Sequence, residues 1–511
     1  EGGELTGAFT ALDLFVLVAY LAGTTWLGIW LGRGQKDAKD YFIAGQQIPW
    51  WAILFSVVAT ETSALTFISI PGVAYLGNFG FLQVAAGYLV GRIIVAYTLL
   101  PRYYQGELVT AYTLLERRFG LHTRRFASVT FMVTRGFGDS VRIFATAIPI
   151  AIIIGPALPA GWTRPVSILV LGVLTLIYTY HGGMRAVVWT DVVQTVVYLL
   201  GGIGAVYLIG QGVDGGWSAV FSQAGDAGKL RGIDLYTGFD RPHTLFAGLI
   251  GGAFLSMASH GADQLIVQRL LASTTLRDAR KALIGSGIAV FFQFSLFLTI
   301  GIGLWAFFGT REFAAPDAIF PTFIVENMPP GMTGLVIAAI LAAAMSSLSG
   351  SINSLGAATT HDLYLPLTKR RADDPGTLRM GKLFSLAWGL ALLTGSLLYR
   401  EQGTPVVIVA LSIASFTYGA LLGGFFLGLL WRRAIQRDAI LGMATGIFVM
   451  TFVVFSRQLG PLLPGIGGTL ASFATIAWPW YVLIGTSVTM ATGIVSSLTH
   501  AAPAAPAARA E

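Results

Sequence analysis

Apolar stretches of about 20 residues, the length that crosses the hydrocarbon core of a bilayer, recur along this chain from residue 9 to residue 499 with short polar connections between them. We count thirteen, at 9–32, 49–77, 79–101, 126–154, 163–181, 187–211, 243–268, 281–308, 331–367, 380–399, 404–431, 434–456 and 475–499. Inside lipid no water satisfies a backbone N–H or C=O, so a spanning segment must be a helix or a strand of a closed barrel. Barrel strands alternate polar and apolar side chains, and these stretches do not. The reading is an all-α membrane protein of about 13 transmembrane helices, with the lipid bilayer as its solvent. Composition agrees, since only 11% of the 511 residues are charged against roughly a quarter in an average soluble domain.

The net charge of +7 does not mark a nucleic-acid partner, because the basic residues lie in separate loops rather than in one patch with interleaved aromatics. Their distribution instead predicts topology. With the N-terminus outside, one set of loops holds 22 Lys and Arg, including Arg102, Arg124, Arg185, Arg269 and Arg370; the opposite set holds seven, and three more are within spans. Cytoplasmic loops carry the excess of basic residues, so the expected orientation is N-terminus outside and C-terminus cytoplasmic, in the cell (inner) membrane. The first apolar stretch, with Asp13 near its start in place of a basic leader, reads as an anchoring span rather than a cleaved signal. The absence of cysteine removes disulfides and thiolate metal sites from consideration. We expect one polytopic domain over residues 1–500 and a disordered Ala/Pro tail at 501–511.

Two spans are interrupted at membrane depth. The second contains Ala59-Thr60-Glu61-Thr62-Ser63 and, further on, Pro71-Gly72; the seventh contains Gly251-Gly252 followed by Ser256, Ser259, His260, Gly261, Asp263 and Gln264. They are five spans apart, an odd number, so the two broken helices cross in opposite directions. That is the arrangement of two inverted five-helix repeats with a site at their interface. The repeats are placed at about 49–211 and 243–431.

A hard cation such as sodium takes oxygen ligands, which an unwound helix supplies as carbonyls and a neighbouring helix as hydroxyls. The ninth span carries Ser346, Ser347, Ser349, Ser351, Asn353 and Ser354 in an otherwise apolar run. Ser346, Ser349 and Asn353 share one face by helical spacing. Tight helix packing uses small residues at the same frequency, so composition alone leaves both readings open. Asp191 lies just inside the sixth span, where an ionised carboxylate is costly unless a cation accompanies it.

Tyr180-His181-Gly182-Gly183-Met184-Arg185-Ala186 leading into Trp189-Thr190-Asp191, the Ser346-Ser347-Leu348-Ser349 helix, and Asp263-Gln264 before Val267-Gln268-Arg269 together resemble the sodium/solute symporter family, whose members include sodium-galactose, proline and sialic acid symporters. The resemblance covers about residues 9–455. It implies the inverted-repeat, broken-helix fold and a sodium ion held by the carbonyls of Ala59, Thr62 and Ala343 and the hydroxyls of Ser346 and Ser347. Some relatives bind a second sodium with residues that match Asp191 and Ser349, although Gly350 stands where certain of them have a further serine.

By the same resemblance the substrate lies beside the break in the second span. Ser63 and Thr66 match positions at which sialic acid carriers touch substrate. The third-span carboxylate of related sugar carriers is absent from Ala85-Ala86-Gly87-Tyr88, and Ser259 and His260 replace an aromatic pair of animal glucose carriers. The distinctive charged residues, all within spans, are Glu61, Arg92, Arg135, Asp139 and Arg142. Asp139 and Arg142 are spaced to pair on one helix, leaving Glu61 to Arg92 or Arg142. Arg142 falls one helical turn from the arginine that sialic acid carriers use for the substrate carboxylate. The expected substrate residues are therefore Glu61, Ser63, Thr66, Arg142, Ser259 and His260. His361 and Asp362, near the end of the ninth span, read as capping or loop contacts.

A channel would show a repeated filter or a ring of like charges, and an enzyme a nucleophile with its base or a metal cluster; neither pattern is present. The expected function is sodium-coupled symport of a small organic solute by alternating access, with a carboxylate-bearing or zwitterionic solute such as sialic acid or an amino acid foremost. A sodium-coupled sugar or polyol symporter is the alternative, and then a proton-coupled carrier, in which Glu61 and Asp191 would titrate. The coupling ion is sodium, one or two per cycle.

Overall fold

The computed structural model describes residues 10–501 apart from Gly34, Lys36, Glu107, 155–158, Ala160, 314–315, 400–405, Pro464 and Ile466, with backbone alone at Leu65, Ala145, 147–154 and 406–412. The expected tail from 502 onward lies outside the described residues. All thirteen apolar stretches fall on helical segments. The fifth and sixth form one helical run, Thr163–Gly212, of 50 residues. At 1.5 Å per residue a straight helix of that length would measure about 75 Å, more than twice the bilayer core. The run instead breaks at Gly183, whose φ of 53° and ψ of −152° are non-helical. A Cβ there would also approach the Tyr41 carbonyl oxygen to 2.5 Å, so the residue must be glycine on two counts. Two crossings result.

Both predicted interruptions are real breaks. The second span is Trp50–Glu61 followed by Ala64–Leu76, bent by 63°. The Ser63 hydroxyl restarts the helix by accepting the Thr66 N–H, as an N-cap does. The seventh span is Gly252–Gly261 followed by Gln264–Leu271, and the Asp263 carboxylate caps its second half by accepting the Leu265 N–H at 2.8 Å. A π-helical turn, Ala247–Gly251, precedes it.

The ninth span, Met332–Ala358, is buried along nearly its whole length and packs most extensively on Thr163–Gly212. The first span, Ala11–Leu31, is peripheral and exposes Leu12, Leu14, Phe15, Trp26 and Trp30, the face that lipid covers. Its Asp13 points inward and accepts the Gly331 and Gly334 N–H groups at 2.7 and 2.6 Å. This satisfies amides that open the ninth span, where a helix has no acceptors of its own.

Three expectations need correction. Arg269, counted among loop cations, is completely buried, and Arg124 is 9% exposed. Both face buried carboxylates, which a count of charges along loops does not register. Removing them leaves twenty basic residues against seven, so the asymmetry survives. Asp362 is not a loop contact either. It is fully buried in a π-helical continuation of the ninth span, Thr359–Tyr364. There it accepts from Arg124 Nε at 2.7 Å, Thr110 Oγ1 at 2.5 Å and Ser128 Oγ at 2.9 Å. His361, also buried, offers its carbonyl to Arg124 Nη2 at 2.7 Å.

Candidate functional site

The two helix breaks open onto a common cavity of about 220 Å³. Glu61, Ser63, Thr66, Arg142, Ser259 and His260, the six residues singled out in the sequence, all line it. Glu61, Ser63 and Thr66 reach it because helical backbone stops at Glu61 and restarts at Ala64, which turns consecutive side chains toward the opening. Ser259 and His260 come from the last turn before the second break.

Every charge around the cavity has a partner, and for Glu61 and Arg135 the nearest one comes from a different span. Glu61 pairs with the fully buried Arg92 of the third span. Arg92 also donates to Ser286 Oγ at 2.7 Å. Arg135 is anchored by Asp263 Oδ2 at 2.5 Å and Tyr418 Oη at 2.8 Å, with Asp139 at 3.4 Å. Asp139 accepts from Ser351 Oγ at 2.5 Å, and the expected Asp139–Arg142 pair is present but longer, at 3.7 Å. Arg142 makes no closer ion pair, and its side chain is 24% exposed. It is the most loosely held of the three guanidiniums Arg92, Arg135 and Arg142. His260 Nδ1 and Ser259 Oγ share a hydrogen bond of 2.8 Å, while the buried Nε2 of His260 lacks a hydrogen-bond partner and lies 3.7 Å from Glu61 Oε2.

Beside this cavity the second span meets the ninth. Ser63 and Ala64 share a small void with Ala344, Ser347 and Leu348. The Ser63 N–H donates to the Glu61 carbonyl, so the break takes from Ala59 the amide that a continuous helix would supply. Ser346 is fully buried and its hydroxyl has no partner, a costly condition for a polar atom. The Ser347 hydroxyl rests on the Ala343 carbonyl at 3.1 Å, and the Thr62 hydroxyl accepts from Gln293 Nε2 at 2.5 Å. An unpaired hydroxyl, a rotatable one and carbonyls released by a break form a donor set that suits a sodium ion.

Asp191 is fully buried next to Ser346. Its Oδ2 accepts from Ser56 Oγ at 2.5 Å and from Arg269 Nη2 at 3.1 Å, and its Oδ1 has no partner. Ser349 donates to the Ser346 carbonyl at 3.1 Å. Asn353, on the same face, accepts from Gln268 Nε2 at 2.6 Å.

Sequence reasoning passed over Ser415, Tyr418 and Trp478, which also line the cavity. The polar run Ser415-Phe416-Thr417-Tyr418 inside the eleventh span was a usable signal. Trp478 comes from the approach to the thirteenth span, and nothing local marks it.

The family model described as the sodium:solute symporter family matches residues 41–446. The sodium/sialic acid symporter NanT of Aliivibrio fischeri (strain ATCC 700601 / ES114) is 32% identical over 473 residues, 91% of this chain and 92% of the relative. Among solved structures, the substrate-bound outward-open state of a Na+-coupled sialic acid symporter superposes with a TM-score of 0.83 at 27% identity, covering 97% of this chain and 99% of that one. Mhp1, a nucleobase-cation-symport-1 family transporter, shares the fold at a TM-score of 0.54 and 14% identity, covering 90% and 94%.

Proposed function

The chain belongs to the sodium:solute symporter family, and from that premise we propose that it carries a carboxylate-bearing solute, sialic acid foremost, through the cavity between its two broken spans. It is a multi-pass membrane protein and a secondary active transporter that couples sodium to a small solute; it is not an enzyme. The observation that carries the substrate reading is Arg142. It lines the cavity with one long ion pair, leaving guanidinium N–H groups to receive a carboxylate in a planar, two-point fashion. Ser63, Thr66, Ser259, Glu61 and His260 supply hydroxyls, an acceptor and a ring nitrogen around it, a set that suits a polyhydroxylated acid. The names of the sialic acid symporters among the similar proteins point the same way.

For the coupling ion we assign the carbonyls of Ala59, Thr62 and Ala343 and the hydroxyls of Ser346 and Ser347. Sodium there would join the break in the second span to the ninth span, and the same break presents Ser63 and Thr66 to the solute. Ion and solute then favour one arrangement of the break, and coupling is the difference in their binding between the two access states. We place the N-terminus outside and the C-terminus in the cytoplasm of the inner membrane, on the asymmetry of basic residues between loops.

The test is thermal stabilisation of purified protein by sialic acid, neutral sugars and amino acids, with sodium or with potassium. A ligand at about 100 times its Kd adds about 2.7 kcal/mol of stability. Sialic acid should raise Tm only when sodium is present. Stabilisation by a neutral sugar with none by sialic acid would overturn the substrate reading.

A further inference from the structure

We propose that Arg269 is a resident cation that fills the role of a second coupling sodium beside Asp191, so that the protein binds one sodium ion. The proposal rests on the reading of Ser346 and Ser347 as the sodium site. A fully buried carboxylate within a span needs a counter-charge, and for Asp191 the chain provides its own. Arg269 has no exposed surface and is fixed at three points: Nη2 on Asp191 Oδ2 at 3.1 Å, Nε on Ser56 Oγ at 2.9 Å and Nη1 on the Leu265 carbonyl at 2.9 Å. The second, sixth and seventh spans thus converge on one guanidinium.

The ninth span makes room for it. A Cβ on Gly350 would lie 2.5 Å from Arg269 Nη2 and 2.9 Å from Nη1, well inside van der Waals contact. A side chain at 350 would require the guanidinium to shift from the hydrogen bonds that hold it. The glycine on the serine-rich helix is therefore the complement of the arginine. A sodium ion placed between Asp191 Oδ1 and the Ser346 hydroxyl would share its single carboxylate with a guanidinium already held there, leaving a net positive charge in a buried site. The arginine serves as a permanent ion that is never released to either side.

Sodium binding to the purified protein decides the matter, with sodium chloride as the only titrant and calorimetry and thermal stabilisation as readouts. The wild type should bind one sodium per chain with a Hill coefficient of about one, and a count of two would overturn the proposal. In Gly350→Ser/Arg269→Ala, removal of the guanidinium and addition of a hydroxyl should raise the count toward two. A folded variant that still binds one would also overturn it. Should that variant not fold, Asp191→Asn/Arg269→Gln removes both charges together and should keep one sodium with an affinity within about threefold of wild type. Loss of sodium binding in this neutral pair would place the coupling ion at Asp191 and overturn the proposal. Failure of the sodium site itself reads differently, as sodium binding that survives Ser346→Ala/Ser347→Ala.

Discussion

Asp263 uses one carboxylate oxygen to restart the broken seventh span at Leu265 and the other to hold Arg135 at 2.5 Å. The backbone break and the charge lining the cavity are thereby one unit. Asp263→Ala should remove a helix cap, costing about 1 kcal/mol, and strip a buried arginine of its nearest anion, for a total loss of about 3–5 kcal/mol. Asp263→Asn, which can still cap, should lose less. Thermal unfolding in detergent checks the order; a loss in Asp263→Asn no larger than that of a cap-neutral surface change would show that the charge is immaterial, and equal losses in the two variants would show that the cap is.

Ser346→Ala together with Ser347→Ala should abolish sodium-dependent solute binding while leaving Tm in potassium within a few degrees of wild type. The fold leans little on either hydroxyl: Ser346 lies beside Asp191 without a hydrogen bond, and Ser347 bonds its own helix. Solute binding whose sodium dependence is unchanged would sink the site assignment.

Arg142→Lys should weaken solute affinity by about tenfold or more, because an ammonium lacks the planar fork that engages a carboxylate at two points. Arg142 is partly exposed and has one long ion pair, so folding should be nearly unaffected. Full uptake with unchanged affinity would argue for a solute without a carboxylate.

Gly183→Ala forces a side chain into a φ of 53° and against the Tyr41 carbonyl at 2.5 Å. A strained backbone position costs about 1–3 kcal/mol, and the collision adds to it. A marked fall in Tm is expected, and an unchanged Tm would mean that the turn between the fifth and sixth spans tolerates another geometry.

Helical membrane architecture, the thirteen apolar stretches, both helix breaks and the hydroxyl-rich ninth span were legible in the residues themselves. Hydrophobic length, helix interruption and serine spacing are local properties, and lipid penalises any unsatisfied alternative. That Glu61, Ser63, Thr66, Ser259 and His260 would face a cavity was also legible, since polar side chains at a break in an apolar helix have little reason to be there otherwise.

Tertiary structure alone decided which charges meet. Asp191 pairs with Arg269, Asp362 with Arg124 and Arg135 with Asp263 across separations of 78, 238 and 128 residues. The sequence read two of those arginines as loop residues and left Asp139 with Arg142 as its sole partner, whereas Arg135 and Ser351 lie closer. A buried charge is stabilised by whichever opposite charge the packing of helices brings within hydrogen-bond reach. That packing is set by facing surfaces such as Gly350 against Arg269, a contact between two residues whose fit exists only once both spans are in place.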